Sequence, residues 1–304
     1  MTTQMKNILI SGGTGLIGKE LSKALQQQGF NVAHLSRSKA GVDDVKTYLW
    51  DVEKKFIEPE AFDNVNVIIH LAGSGIADAR WTKSRKKEIL NSRVDSCNLL
   101  FDYVKKKNIK LDAFISASGT GYYGAITTTH VFTENDPAAN DFLGQTCVLW
   151  EKAADNFLSL NTRVVKIRTG IVLSKRGGAL EKMAAPVKCY LGASLGTGKQ
   201  FMPWIHISDL VNIYLKAVND TAMHGAYNAV APESTTNDNF NKKIAECLKK
   251  PLLLPPVPAL IMKIALGEMA KLVLEGSAVS SEKIQNSGFV FQFANLKESL
   301  KDLF

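Results

Sequence analysis

Asn7-Ile8-Leu9-Ile10-Ser11-Gly12-Gly13-Thr14-Gly15-Leu16-Ile17-Gly18 is the stretch that most narrows what this chain can become. An apolar, β-branched run meets Gly12, Gly15 and Gly18 at three-residue spacing, and a helix-forming segment from Glu20 to Gln28 follows and stops at Gly29. The pattern predicts a strand, a tight turn and a helix. A dinucleotide needs that geometry: Gly12 permits the turn, Gly15 lets backbone approach a pyrophosphate, and Gly18 lets the helix pack closely on the strand. Thr14, Leu16 and Ile17 complete the cradle. The pyrophosphate is expected at the helix N-terminus, where free N–H groups and the positive dipole end favour an anion.

With 304 residues, 45% of them hydrophobic, the chain can bury a sizeable core as one large or two closely packed domains. No apolar run is long enough to span a bilayer, and Met1 to Lys6 lacks the apolar centre of a secretion signal. The cytoplasm is therefore the expected compartment, with no membrane partner. Cys97, Cys147, Cys189 and Cys247 are scattered without a close pair, which argues for reduced thiols and against a zinc site or disulfide framework. A net charge of +8 raises the question of nucleic acid. The basic clusters Lys83-Ser84-Arg85-Lys86-Lys87 and Lys105-Lys106-Lys107 fall on predicted helix surfaces without interleaved aromatics, so they read as solvated faces and no nucleic-acid partner is expected. Nothing in the pattern sets an oligomeric state.

The second strand, Asn31 to Leu35, runs into Ser36-Arg37-Ser38-Lys39. An NAD site places a carboxylate here for the ribose 2′-OH; a guanidinium and hydroxyls suit a 2′-phosphate, so NADP is expected rather than NAD. A third strand ends at Asp51, within reach of the adenine, and the apolar run from Val65 closes on Leu71-Ala72-Gly73, which would pass close to the cofactor. His70 reads as a packed histidine. An amphipathic helix from Trp81 to Lys107 precedes a strand from Asp112 to Ser118 that carries Ser116. Gly119 to Gly124 then forms a hydroxyl-rich loop, a helix is expected from Cys147 to Leu160, and Arg163 to Arg168 is the next strand. Alternation of this kind predicts an α/β fold with a Rossmann-type doubly wound parallel sheet. Residues 1–170 form the expected dinucleotide-binding domain, completed by a helix and strand from 209–230. Residues 171–304 form a smaller substrate-covering lobe, with Ser208 or Asp209 as a helix cap and a short strand near Phe289 to Phe293.

Gly12-x-x-Gly15-x-x-Gly18, His70-Leu71-Ala72-Gly73, Ser116-Ala117-Ser118 and Trp204-Ile205-His206-Ile207-Ser208-Asp209-Leu210, in this order, resemble the extended short-chain dehydrogenases/reductases, the superfamily of NAD(P)-dependent epimerases and dehydratases. The Ala72-to-Ala77 run, the Ser118-to-Gly124 loop and Leu266-Gly267-Glu268-Met269-Ala270 resemble an atypical branch, whose members are labelled "epimerase family protein" or likened to a cell-division inhibitor. The resemblance implies catalysis by a Ser or Thr after the fifth strand and a Tyr-x-x-x-Lys on the next helix, where four-residue spacing puts both side chains on one face. Ser118 or Thr120 fills the hydroxyl role, but Cys147 stands for the tyrosine and Glu151 for the lysine. A carboxylate one turn from a thiol raises the thiol's pKa, opposite to activation. Tyr122 or Tyr123 could replace the phenol from the loop, while the literal Tyr103-x-x-x-Lys107 lies on the wrong helix. The implied activity is that of an NADP-dependent reductase or epimerase acting on a small carbonyl or nucleotide-sugar substrate. The alternative is a regulatory protein that holds NADP without turnover.

Overall fold

A computed structural model describes residues 6–39 and 45–304. Met1 to Met5, most of the segment considered above as a leader, lies outside the described residues. Chain order runs β1 (Asn7–Ser11), α1 (Leu16–Gln27), β2 (Asn31–Ser36), β3 (Lys46–Asp51), β4 (Phe56–Ile57), β5 (Val65–His70), α2 (Lys83–Lys106), β6 (Ala113–Gly119), α3 (Phe142–Asp155) and β7 (Arg163–Thr169). Then follow β8 (Ile171–Leu173), α4 (Ala179–Lys188), β9 (Trp204–His206), α5 (Ile207–Asn219), β10 (Gly225–Ala229) and α6 (Asn237–Leu248). The chain ends with α7 (Ala259–Leu266), α8 (Lys271–Leu274), α9 (Glu282–Asn286) and α10 (Leu296–Leu303).

Eight strands form one sheet in the order β10-β7-β6-β5-β1-β2-β3-β4, and every pairing is parallel except β3 with β4. The chain winds outward from β1 in one direction and then in the other. Its doubly wound order therefore reverses between β1 and β5, where sheets of this type open a ligand crevice. Both faces of the central strands are covered, as their continuous apolar runs require. Ile8 and Ile10 pack with Leu21 and Leu25 of α1 and with Ile213 and Tyr214 of α5. Leu9 points the other way, toward Leu100 and Val104 of α2 and toward Phe114 and Phe157, whose rings stack at 3.8 Å. Gly29, at φ +85°, ends α1 in the left-handed conformation that suits glycine after a helix.

After β7 the chain leaves the sheet, pairs β8 with β9 as a separate two-stranded ribbon, and returns through α5 and β10. A third core, around Leu173, Leu180, Trp204, Phe240, Ile244 and Leu300, holds the smaller lobe together. No helix among the described residues is long and apolar enough to cross a membrane.

Three local expectations change. Helix α3 starts at Phe142 rather than Cys147, because the Asp141 carboxylate accepts the Gly144 N–H at 2.9 Å and caps it. Helix α5 is capped by neither Ser208 nor Asp209: His206 Nδ1 accepts the Ser208 N–H at 3.1 Å. Residues 289–293 form no strand. Their backbone is instead satisfied by the buried Asp209 carboxylate, which accepts the Gln292 and Phe293 N–H groups at 2.8 and 2.9 Å.

Asp209 thus pins the C-terminal segment to the first turn of α5. Asp209→Ala leaves two donors without a partner and is expected to cost about 1–3 kcal/mol in urea denaturation. Hydrogen exchange at Gln292 and Phe293 should accelerate while the core of β5 stays protected.

Candidate functional site in the crevice between β1 and β5

The glycine loop closes through missing Cβ atoms. One on Gly12, whose φ is +76°, would stand 2.9 Å from the Ala72 nitrogen, so the turn presses against the end of β5. A Cβ on Gly18 would reach within 2.5 Å of the Gly12 oxygen and the Gly13 Cα. Gly18 therefore seats α1 on the turn itself, not on the strand as the spacing suggested. Gly15 differs, because its Cβ would meet only the Gly12 oxygen, at 3.3 Å. One side of Gly15 stays open to an incoming group. It is the N-cap of α1, no side chain caps that end, and no acidic residue lies in the first turn. The loop keeps an uncapped, positively polarised helix end beside an exposed glycine. Thr14 and Leu16 are half-buried around it, and Ile17 packs on the sheet core.

Beneath the loop sits a residue that the spacing did not single out. The His34 ring lies where a Cβ on Gly13 would be, 2.2 Å from its Cδ2, and its Nε2 meets Ser22 Oγ at 2.7 Å. His70, expected to be packed, is fully buried and meets Ser11 Oγ at 2.6 Å through Nδ1. Burial lowers both imidazoles from 6.5 to about 4, so both are neutral at physiological pH.

At the far end of β2, Ser36 is half-buried and Arg37 is exposed. The Arg37 charge is felt by Glu88 of α2, while neighbouring Lys39 is paired with Glu58 at 3.0 Å. Asp51 closes the turn after β3: its carboxylate accepts the Lys54 N–H at 3.0 Å and faces Lys54 Nζ at 3.3 Å. Leu71 and Ala72 are half-buried beside Gly12, and Gly73 is exposed. Ser116 is fully buried, and its hydroxyl donates to the Ala117 carbonyl at 2.9 Å, turned to its own chain.

Ser118, Tyr122, Cys147 and Glu151 do come together at the ends of β6 and α3. Ser118 Oγ donates to Glu151 Oε1 at 2.7 Å. Arg168, which the parallel register of β6 and β7 sets opposite Ser118, donates to both Glu151 oxygens at 2.8 and 3.0 Å. Burial works against the Arg168 charge, but the Glu151 carboxylate outweighs it and keeps the guanidinium protonated. The same guanidinium stacks on the Tyr122 ring, 3.4 Å from its centroid, and donates to the Tyr123 hydroxyl at 3.1 Å. Tyr123 in turn donates to Asn228 Oδ1 at 2.7 Å, and burial pushes its phenol up to about 12. The Cys147 Sγ lies 3.7 Å from the Gly119 carbonyl, and burial followed by the Glu151 charge pushes the thiol up to about 12. Arg168 and Asn228 were missed by sequence reasoning, since only strand register brings them to Ser118 and Tyr123. Tyr103 lies elsewhere and accepts the Ile57 N–H.

Residues 8–229 match the model of the NAD-dependent epimerase/dehydratase family. The chain belongs to that family. Residues 257–303 also match a domain of unknown function, DUF1731. An epimerase family protein of Staphylococcus aureus is 35% identical over 302 residues, covering 98% of this chain and 99% of that protein. The crystal structure of the human epimerase family protein SDR39U1 with NADPH superposes with a TM-score of 0.86 at 31% identity, covering 98% of both chains. A nucleoside-diphosphate sugar epimerase from Corynebacterium glutamicum gives 0.79 at 28% identity, covering 98% of this chain and 57% of that one. Within this family the expected Tyr-x-x-x-Lys positions are here a high-pKa thiol and one half of a buried ion pair.

Two consequences are measurable. Glu151→Ala leaves Arg168 buried without a counter-charge and is expected to cost about 3–5 kcal/mol, whereas the apolar double variant Glu151→Leu, Arg168→Met loses less. Urea denaturation compares them. Because the folded pKa values of His34 and His70 lie below the unfolded value, the unfolded chain takes up protons first on acidification. Their contribution is complete above pH 6.5 and is lost toward pH 4, by up to about 3 kcal/mol for each ring. Denaturation curves between pH 7.5 and 4.5 should show this slope, and constant stability across that window would contradict it.

Proposed function

We propose that the chain binds NADP and acts as a reductase or epimerase on a small carbonyl or nucleotide-sugar substrate. The observation that carries this proposal is the uncapped glycine cradle at α1 followed, at the end of β2, by Ser36 and Arg37 in place of a carboxylate. The NADPH in the human SDR39U1 structure, at 31% identity, supports the same coenzyme. The free N–H groups of Leu16 and Ile17 would hold the diphosphate, Arg37 the 2′-phosphate, and Ala72 and Gly73 the floor of the crevice. When bound, such a coenzyme gives or takes a hydride.

The proton must come from the chain. Ser118 has its hydroxyl hydrogen committed to Glu151, and burial takes the Cys147 thiol out of the useful range. Tyr123 is held between Arg168 and Asn228. Tyr122 remains: half-buried at the mouth of the loop and oriented by the guanidinium under its ring. In a reduction its phenol would hand a proton to the carbonyl oxygen of the substrate. One observation favours a second reading, in which NADP is held without turnover: the Glu151–Arg168 pair stands where the resemblance places the lysine.

Arg37→Glu is expected to raise the Kd for NADPH at least about tenfold and to narrow the preference over NADH, measured by calorimetry. Tyr122→Phe should lower turnover about 10²-fold or more with unchanged NADPH affinity. A panel of carbonyl and nucleotide-sugar compounds that yields no hydride transfer, with coenzyme bound, supports the second reading over the first.

A further inference from the structure

Arg93 of α2 is a half-buried guanidinium without a carboxylate partner. Its Cζ lies 5.0 Å from the centroid of the Trp150 ring, and a Cβ on Gly73 would stand 3.0 Å from the same atom. One nitrogen, Nη1, donates to the Ile89 carbonyl at 2.8 Å and to Ser92 Oγ at 3.5 Å. Among the described residues no acidic side chain pairs with it. Burial first, and then the like charge of Arg85, hold its pKa below the usual arginine range. Arg168, Arg85 and Arg176 are paired with Glu151, Glu88 and Glu20, and Arg163 divides its donors between the Met223 and Ala217 carbonyls, whereas among the described residues only one nitrogen of Arg93 has a partner.

The Arg93 Nε and Nη2 have no hydrogen-bond partner among the described residues, so that side of the donor fork is open to an incoming anion. Its place is informative. Gly73 follows Ala72, against which the Gly12 turn is pressed, so Arg93 stands at the reversal point of the sheet. Its charge also reaches Cys147 of α3, which stands where the resemblance places the tyrosine.

We propose that Arg93 is the anion receptor of the crevice, taking a phosphate or carboxylate oxyanion at the end of β5. A planar fork of donors suits such a group. Two sources present this chemistry there, the diphosphate of the coenzyme or an acidic group on the substrate. The inference rests on the coenzyme reading of the crevice and assigns to it a charge that neither the glycine cradle nor Arg37 supplies.

Calorimetry on the full chain tests it, with NADPH titrated into wild type and Arg93→Gln, and with oxalate and inorganic phosphate titrated into the NADP-loaded forms. Arg93→Gln is expected to weaken at least one of these by about tenfold or more. A loss confined to NADPH identifies the coenzyme diphosphate; a loss confined to oxalate or phosphate identifies a substrate anion. If wild type binds NADPH and the substitution alters none of the affinities, this inference alone is overturned. If wild type binds no NADPH, the coenzyme reading falls with it. Should Arg93→Gln fail to fold, the Arg93 Nε–H resonance of isotope-labelled wild type decides: a shift on adding NADPH or oxalate supports the receptor, and an unmoved signal overturns it.

Discussion

Close approach of backbone to backbone at Gly12 and Gly18 is the constraint on which the rest of this molecule depends. With either Cβ present, α1 could not sit on the turn, and the turn could not sit against the end of β5. The consequence is electrostatic as well as steric. Helix α1 begins without a side-chain cap directly above the opening between β1 and β5, so its unpaired donors face the one place where the sheet order reverses. Leu21 and Leu25 then fix the helix to the sheet through the same core that receives α5.

The chemistry at the other end of the crevice follows from a different economy of charge. Glu151 and Arg168 are both nearly excluded from water, and a buried pair of this kind brings little net stability, because desolvation offsets its attraction. What the pair does is fix geometry. It commits the Ser118 hydroxyl, carries Tyr122 on the guanidinium face and hands a hydrogen bond to Tyr123 and Asn228. Four elements, β6, α3, β7 and β10, are thereby tied at one point. At the α3 positions where the resemblance implies a phenol and an ammonium stand Cys147 and Glu151. Arg93, packed on Trp150 of the same helix α3, has no such carboxylate partner among the described residues.

Much of this was legible in the residues. The strand, turn and helix from Asn7 to Gln27 and the central strands stand where their periodicity placed them, because runs buried on both faces carry a strong local signal. Expectations slipped where tertiary contacts supplied the partner. Asp141 starts α3 early, His206 displaces Ser208 and Asp209 as a cap, and Asp209 holds a segment that would otherwise pass for a strand. Local pattern alone does not distinguish a carboxylate that caps its own helix from one that satisfies backbone eighty residues away.

The order of residues by itself determined the doubly wound fold, the glycine cradle and the substitution of Cys147 and Glu151 for the expected pair, since each is written in spacing along one element. Only the tertiary structure decided what those substitutions mean. Register between β6 and β7 sets Arg168 beside Ser118, and packing of α2 on α3 leaves Arg93 half-buried against Trp150 with no carboxylate beside it. Whether a charge is paired or alone depends on neighbours distant in sequence, and burial, which sets the energy at stake, exists only once the chain has folded.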